Sequence, residues 1–133
     1  MSMVKKYFLI LLFFNSLNQL HSQHINLSEE EVIATLCHTW SLSFASIQGK
    51  PIQINIDLKV QFNPDNSYFL LSNPQKIGKW RYNQKGKFIE LTTNDRTARI
   101  TTLNKKEMVF IEMQVDEHQR VTPQKSQFHF IRE

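Results

Sequence analysis

The chain has 133 residues, with 16 lysines and arginines against 12 aspartates and glutamates, a formal charge of +4, and one cysteine. That length holds one domain with one core, and a lone Cys37 excludes an internal disulfide, so packing alone must hold the fold. The bases are scattered among acids, at Lys50, Lys59, Arg81, Arg99 and Lys105, and form no phosphate-tracking stripe; a nucleic-acid partner is not expected.

The N-terminus carries Lys5 and Lys6, an apolar run from Tyr7 to Phe14, and a polar exit from Asn15 to Gln23. This is the pattern of a secretory signal peptide over residues 1–22, too short in its apolar part for the ~20 residues that cross a bilayer, so no permanent membrane anchor is expected. Cys37 lies far beyond that run and follows Leu36, a poor match to a lipidated cysteine. Removing residues 1–22 leaves 111 residues (23–133), and loss of Lys5 and Lys6 lowers the charge to +2.

Ser28 followed by Glu29, Glu30 and Glu31 is a capping box with acids at the positive end of a helix dipole, predicting a short helix that buries Val32, Ile33 and Leu36 and ends by Thr39. Trp40, Leu42 and Phe44 then alternate with Ser41, Ser43 and Ala45 as a first strand. After Gly49-Lys50-Pro51 comes the cleanest pattern in the chain: Ile52, Ile54, Ile56, Leu58, Val60 and Phe62 alternate with polar residues. A period of two predicts one continuous strand with one buried face and one wet face, the mark of an antiparallel sheet.

Turn formers from Asn63 to Ser67 lead to a strand from Tyr68 to Leu71, and Ser72-Asn73-Pro74 leads to another from Ile77 to Tyr82. Asn83 to Gly86 closes a hairpin onto Phe88 to Thr93. Strands from Ala98 to Leu103 and from Met108 to Val115 follow, each after a polar turn. Asp116 to Gln127 contains Pro123 and no apolar pattern, and is expected as a long connection to a last strand at Phe128 to Ile131. Eight short strands without a crossover helix predict an all-β protein: an eight-stranded antiparallel up-and-down barrel with a short N-terminal helix.

Gly78-Lys79-Trp80-Arg81-Tyr82 followed by Ile89-Glu90-Leu91, and Ile100 to Leu103 followed by Met108-Val109-Phe110, together with the leader, helix and Trp40, resemble the lipocalin-like domains of exported bacterial proteins. The resemblance covers essentially the whole mature chain. It implies a lipocalin-like barrel over residues 23–133, and it departs from the family pattern where Gly-x-Trp is replaced by His38-Thr39-Trp40. Arg132 is the candidate for the basic residue that covers the first-strand tryptophan in such barrels. The family fixes a fold rather than a ligand.

No catalytic motif stands in the chain, and neither enzymatic activity nor a cofactor is expected. Among His24, His38, His118 and His129, no two have the spacing that aims two imidazoles at one metal, so no metal site is expected. Cys37 reads as a small core residue of the helix. Glu90 and Glu112 fall opposite the apolar parity of Ile89 with Leu91 and of Ile111 with Met113, which predicts them on the outer face. Asn26-Leu27-Ser28 matches a glycosylation sequon, which matters only in a eukaryotic secretory host.

The one enrichment that points to function is aromatic. Trp40, Phe44, Phe62, Phe69, Trp80, Tyr82, Phe110 and Phe128 are spread over most strands, with Phe130 beside them. They either fill a packed barrel or line a pocket for a small hydrophobic ligand. Trp40 is expected to plug the closed end and Tyr82 to lie toward the opposite mouth. The alternative function is a protein-interaction or inhibitor module with a filled barrel, binding a protein partner through the 116–127 connection. The leader predicts a mature chain that begins near Gln23 or His24 and is periplasmic or secreted. N-terminal sequencing of the native protein checks this, and cytoplasmic protein retaining Met1 contradicts it.

Overall fold

The computed structural model describes residues 24–133, apart from Asp95 and the side chains of Gln124 and Lys125. The leader and its cleavage point lie outside the described residues. Helix α1 (Glu29–Leu36) is followed by β1 (Thr39–Ile47), β2 (Lys50–Ile52), β3 (Lys59–Phe62), β4 (Ser67–Leu70), β5 (Asn73–Asn83), β6 (Phe88–Thr93), β7 (Arg96–Leu103), β8 (Glu107–Val115) and β9 (Val121–Arg132). From β3 to β9 each strand pairs antiparallel with the next, and β1 pairs with both β3 and β9. The result is a closed eight-stranded antiparallel barrel, with β2 as a short extra strand on the far end of β1. Closure leaves few backbone groups on open edges.

The capping box is formed as the sequence requires. Ser28 Oγ accepts from Glu31 N–H at 3.2 Å, and Glu31 Oε1 accepts from Ser28 N–H at 3.1 Å. Val32 and Leu36 are buried by the helix in the cluster that holds Trp40, Phe62, Trp80, Ile89, Ile100 and Met108. Leu36 carbonyl accepts the Trp40 indole N–H at 2.9 Å, so the helix and first strand are joined by both packing and a buried hydrogen bond. Ile25 N–H donates to Lys87 carbonyl at 2.9 Å, which ties the segment before α1 to the β5–β6 hairpin. One end of the barrel is thereby closed.

The seam between β1 and β9 is reinforced at its polar side. Glu133 accepts from Lys59 Nζ at 2.7 Å and from Ser41 Oγ at 2.6 Å, linking the C-terminus to β3 and β1. These contacts, the Lys59 hydrogen bond first, hold the Glu133 carboxyl below its ordinary value. His38 also serves this seam. Its Nε2 lies 2.9 Å from Ala34 carbonyl, which requires an N–H there and leaves Nδ1 to accept from Arg132 Nη2 at 3.3 Å. Arg132 stands opposite Trp40 in the ladder.

Two sequence expectations are corrected by the sheet. The stretch from Ile52 to Phe62 is not one strand: it is paired only at Lys50–Ile52 and Lys59–Phe62. Ser41 pairs with Lys59 and Ala45 with Ile52, so the four steps along β1 are matched by seven on the partner chain, and the excess leaves the ladder. Val60 and Phe62 are buried, whereas Leu58 is half-buried and Ile56 is 62% exposed. Alternation could not reveal this, because it records which side chains share a face and not whether a partner strand is present.

The long 116–127 connection is also corrected. Asp116 builds a tight turn, its carboxylate accepting from His118 N–H at 2.9 Å, Arg120 N–H at 2.8 Å and Arg120 Nε at 2.9 Å. Gln119 takes φ 62°, and Val121 already pairs with Val115. Pro123 is tolerated because it lies beside a register shift in β8 and beyond the part of β9 that pairs with β1, where no ladder donor is needed on that side.

The broken strand has a measurable signature. Phe62→Ala should cost about 3–5 kcal/mol in chemical denaturation, whereas Ile56→Ala, in the same alternating series, should stay within about 0.5. Comparable losses from both would mean that Ile56 is packed in a continuous strand.

Candidate functional site

Antiparallel order places the ends of all strands at one of two rims. The helix, Phe62, Asn83, Phe88, Leu103 and Glu107 lie at the closed rim; Leu70, Asn73, Thr93, Arg96 and Val115 lie at the other. At this second rim the barrel opens into a cavity of about 660 Å³. Phe62, Leu91, Met108 and Phe130, all buried, are its floor, and Val60, Phe69, Tyr68 and Phe110 are among its walls. Phe110 stacks on Phe128 at 4.8 Å and on Phe130 at 5.5 Å between ring centres, which fixes one wall.

Tyr68 is the aromatic with a polar tip among these walls. Its ring stacks on Phe62 at 5.3 Å and lies across Gly78, where a Cβ would stand only 2.5 Å from Tyr68 Cε1. Glycine at 78 therefore admits the close approach of the ring. The Tyr68 hydroxyl bonds no described residue, and burial pushes its pKa up to about 12, so it remains a neutral donor at physiological pH.

The expected site residues divide into three groups. Phe62, Phe69 and Phe110 line the cavity, and Phe128 supports it through its stack on Phe110. Trp40 plugs the closed end, where it is fully buried, and Trp80 is buried there too, its indole N–H donating to Asn63 carbonyl at 2.9 Å. Tyr82 is corrected: it also belongs to the closed end, because its hydroxyl reaches Leu27 carbonyl at 2.6 Å and Ile25 carbonyl at 3.1 Å. The β5–β6 hairpin it approaches lies on the helix side, not at the mouth.

Phe44 is corrected as well. A register shift between Leu42 and Phe44 inverts the alternation of β1, so Phe44 is 41% exposed on the outer wall and stacks on His129 at 4.0 Å. Partial burial there holds the His129 imidazole below its ordinary value. Glu112 is the third correction. It stands opposite Ala98 and shares the inward parity of Phe110, itself opposite Ile100, and it lines the cavity. Glu90 lies on the outer face, 3.9 Å from Arg81 across the ladder.

Missed from the sequence were Tyr68, Leu91, Met108, Lys76 and Arg96. Met108, Phe110, Glu112 and Gln114 do form an alternating series, but Val109, Ile111 and Met113 are equally apolar, so parity alone could not choose between the two faces of β8. Chemically the cavity offers an apolar floor, one neutral phenol and a charged mouth. Cys37 is half-buried, and burial raises its thiol pKa, with Asp65 adding to the shift, which keeps it a poor nucleophile. Among the described residues no three His, Cys, Asp or Glu side chains are grouped to hold a metal, and no helix is long and apolar enough to cross a membrane.

No protein-family model and no curated protein matches the chain. The class of molecule is therefore defined by its own geometry: a closed antiparallel barrel, capped by a helix at one end and open to a lined cavity at the other.

The Tyr82 hydroxyl can donate its one proton to one carbonyl at a time, and Leu27 is the nearer. Tyr82→Phe should lower stability by about 1 kcal/mol, seen as a fall in melting temperature. A variant that melts unchanged would mean that the N-terminal segment is not held through this hydroxyl.

Proposed function

We propose that this protein is an exported, lipocalin-like barrel that binds a small, largely apolar molecule, acting by binding rather than by catalysis. The observation that carries the reading is the cavity of about 660 Å³, open at the end opposite α1 and floored by Phe62, Leu91, Met108 and Phe130. Its size is within the ~300–1,000 Å³ range of small-molecule sites, and an apolar lining with a few polar groups suits such a ligand. Export rests on the leader, and lipocalin-like membership on the Gly78 to Tyr82 and Ile100 to Phe110 patterns. The alternative of a protein-interaction module loses its motive, since Val121–Arg132 is a paired strand.

Ala98 lines the cavity and is an inward position without bulk. Purified protein should bind the neutral apolar fluorophore N-phenyl-1-naphthylamine one to one, and Ala98→Phe should abolish binding at a stability cost of about 1–3 kcal/mol. Wild-type protein that binds no such fluorophore, and carries no small molecule by native mass spectrometry, would count against the reading.

A further inference from the structure

The cavity changes chemical character with depth. Level with Ala98 and Glu112 the wall holds Leu91, and below them the lining is apolar, through Phe62, Met108 and Phe130; at the mouth stand Lys76 and Arg96. Both bases are solvent-exposed, and neither forms an ion pair with a described residue. The two come from separate strands, β5 and β7, with β6 between them. Glu112 is set one inward step deeper, because it stands opposite Ala98 while Arg96 lies two residues further toward the rim.

Resting on the binding role proposed above, we infer that the ligand is a single-chain amphiphile with an anionic head, its hydrocarbon tail on the Phe62 to Phe130 floor and its head between Lys76 and Arg96. Three observations converge on that class. The floor has no charged group to receive a head, so the apolar end of a ligand goes down. Two cations at the rim supply complementary charge where the head must emerge, and Arg96 can take two oxygens of a carboxylate or phosphate at once. Glu112, beneath them, repels an anion that descends further, which fixes the head at the mouth and the tail below it.

A cationic head is disfavoured by the same arrangement, since it must pass Lys76 and Arg96 to reach Glu112. An uncharged head gains nothing from the rim. The orientation is thus set by a sequence of charges along the wall: two positive, then one negative, then none.

The test is displacement of N-phenyl-1-naphthylamine from the purified full-length mature protein by four compounds of one chain length, each below its micelle concentration: dodecanoate, dodecyl phosphate, dodecanol and dodecyltrimethylammonium. The two anions should displace it roughly tenfold or more better than the alcohol and the cation, and the better of the two identifies the head as carboxylate or phosphate. In the double variant Lys76→Gln, Arg96→Gln the anions should weaken by about the same factor while dodecanol is unchanged. Unaltered binding of the fluorophore by that variant shows that its fold and cavity persist. Dodecanol or dodecyltrimethylammonium competing as well as dodecanoate and dodecyl phosphate, or an equal loss for anions and dodecanol in the variant, overturns the inference and leaves the cavity reading standing. Failure of the fluorophore to bind wild-type protein instead overturns the cavity reading itself.

Discussion

The burial of Trp40 is the constraint on which the barrel depends. Its backbone stands opposite Val60 on β3 and Arg132 on β9, so the residue sits on the line where the sheet meets itself. Its ring is fully buried, and its indole N–H is satisfied by Leu36 carbonyl at the end of α1. A large apolar surface and one obligatory donor are thus met at a single position by the helix and three strands. Closure joins residues far apart in sequence, and it removes the open edges that an eight-stranded meander would otherwise expose.

From that plug the barrel divides into two halves with different rules. At the closed half, aromatics with a polar tip find carbonyls of the capping segments: Trp40 at Leu36, Trp80 at Asn63, and Tyr82 at Leu27 and Ile25. These carbonyls are available because they belong to a helix end and to loops rather than to ladders. Toward the open half the lining is dominated by residues without such needs, Phe62, Phe69, Phe110 and Phe130. Tyr68 is the exception: it carries a hydroxyl, and it lines the cavity with its ring across Gly78. Tyr68 apart, the aromatics that carry a hydrogen-bond donor therefore stand at the closed end and those without one line the cavity.

The irregularities of the sheet shape the mouth. The register shift in β1 moves Phe44 outside, and the excess chain between Ile52 and Lys59 leaves the ladder on the open side of the barrel. Asp116 compresses the β8–β9 connection into a turn, so that β9 extends along β8 almost to its end. Each departure keeps backbone groups paired where it can.

The number of barrel strands, the absence of crossover helices, the capped helix and the inward placement of Trp40, Phe62 and Trp80 were determined by the sequence, because each depends on local spacing: a period of two, a capping box, or a cluster of turn formers. What the sequence could not determine were relations between strands. Phe44 is outside because of a bulge visible only against β9; Ile56 is exposed because β1 supplies too few partners; and Glu112 faces inward because β8 is apolar on both faces and only its register with β7 chooses one. Tyr82 lies at the closed end because the N-terminal segment folds back over that rim to meet its hydroxyl. Periodicity records how side chains alternate along one strand, whereas face, depth and the existence of a cavity are set by which strands meet and where their ladders slip, and those are properties of the closed barrel alone.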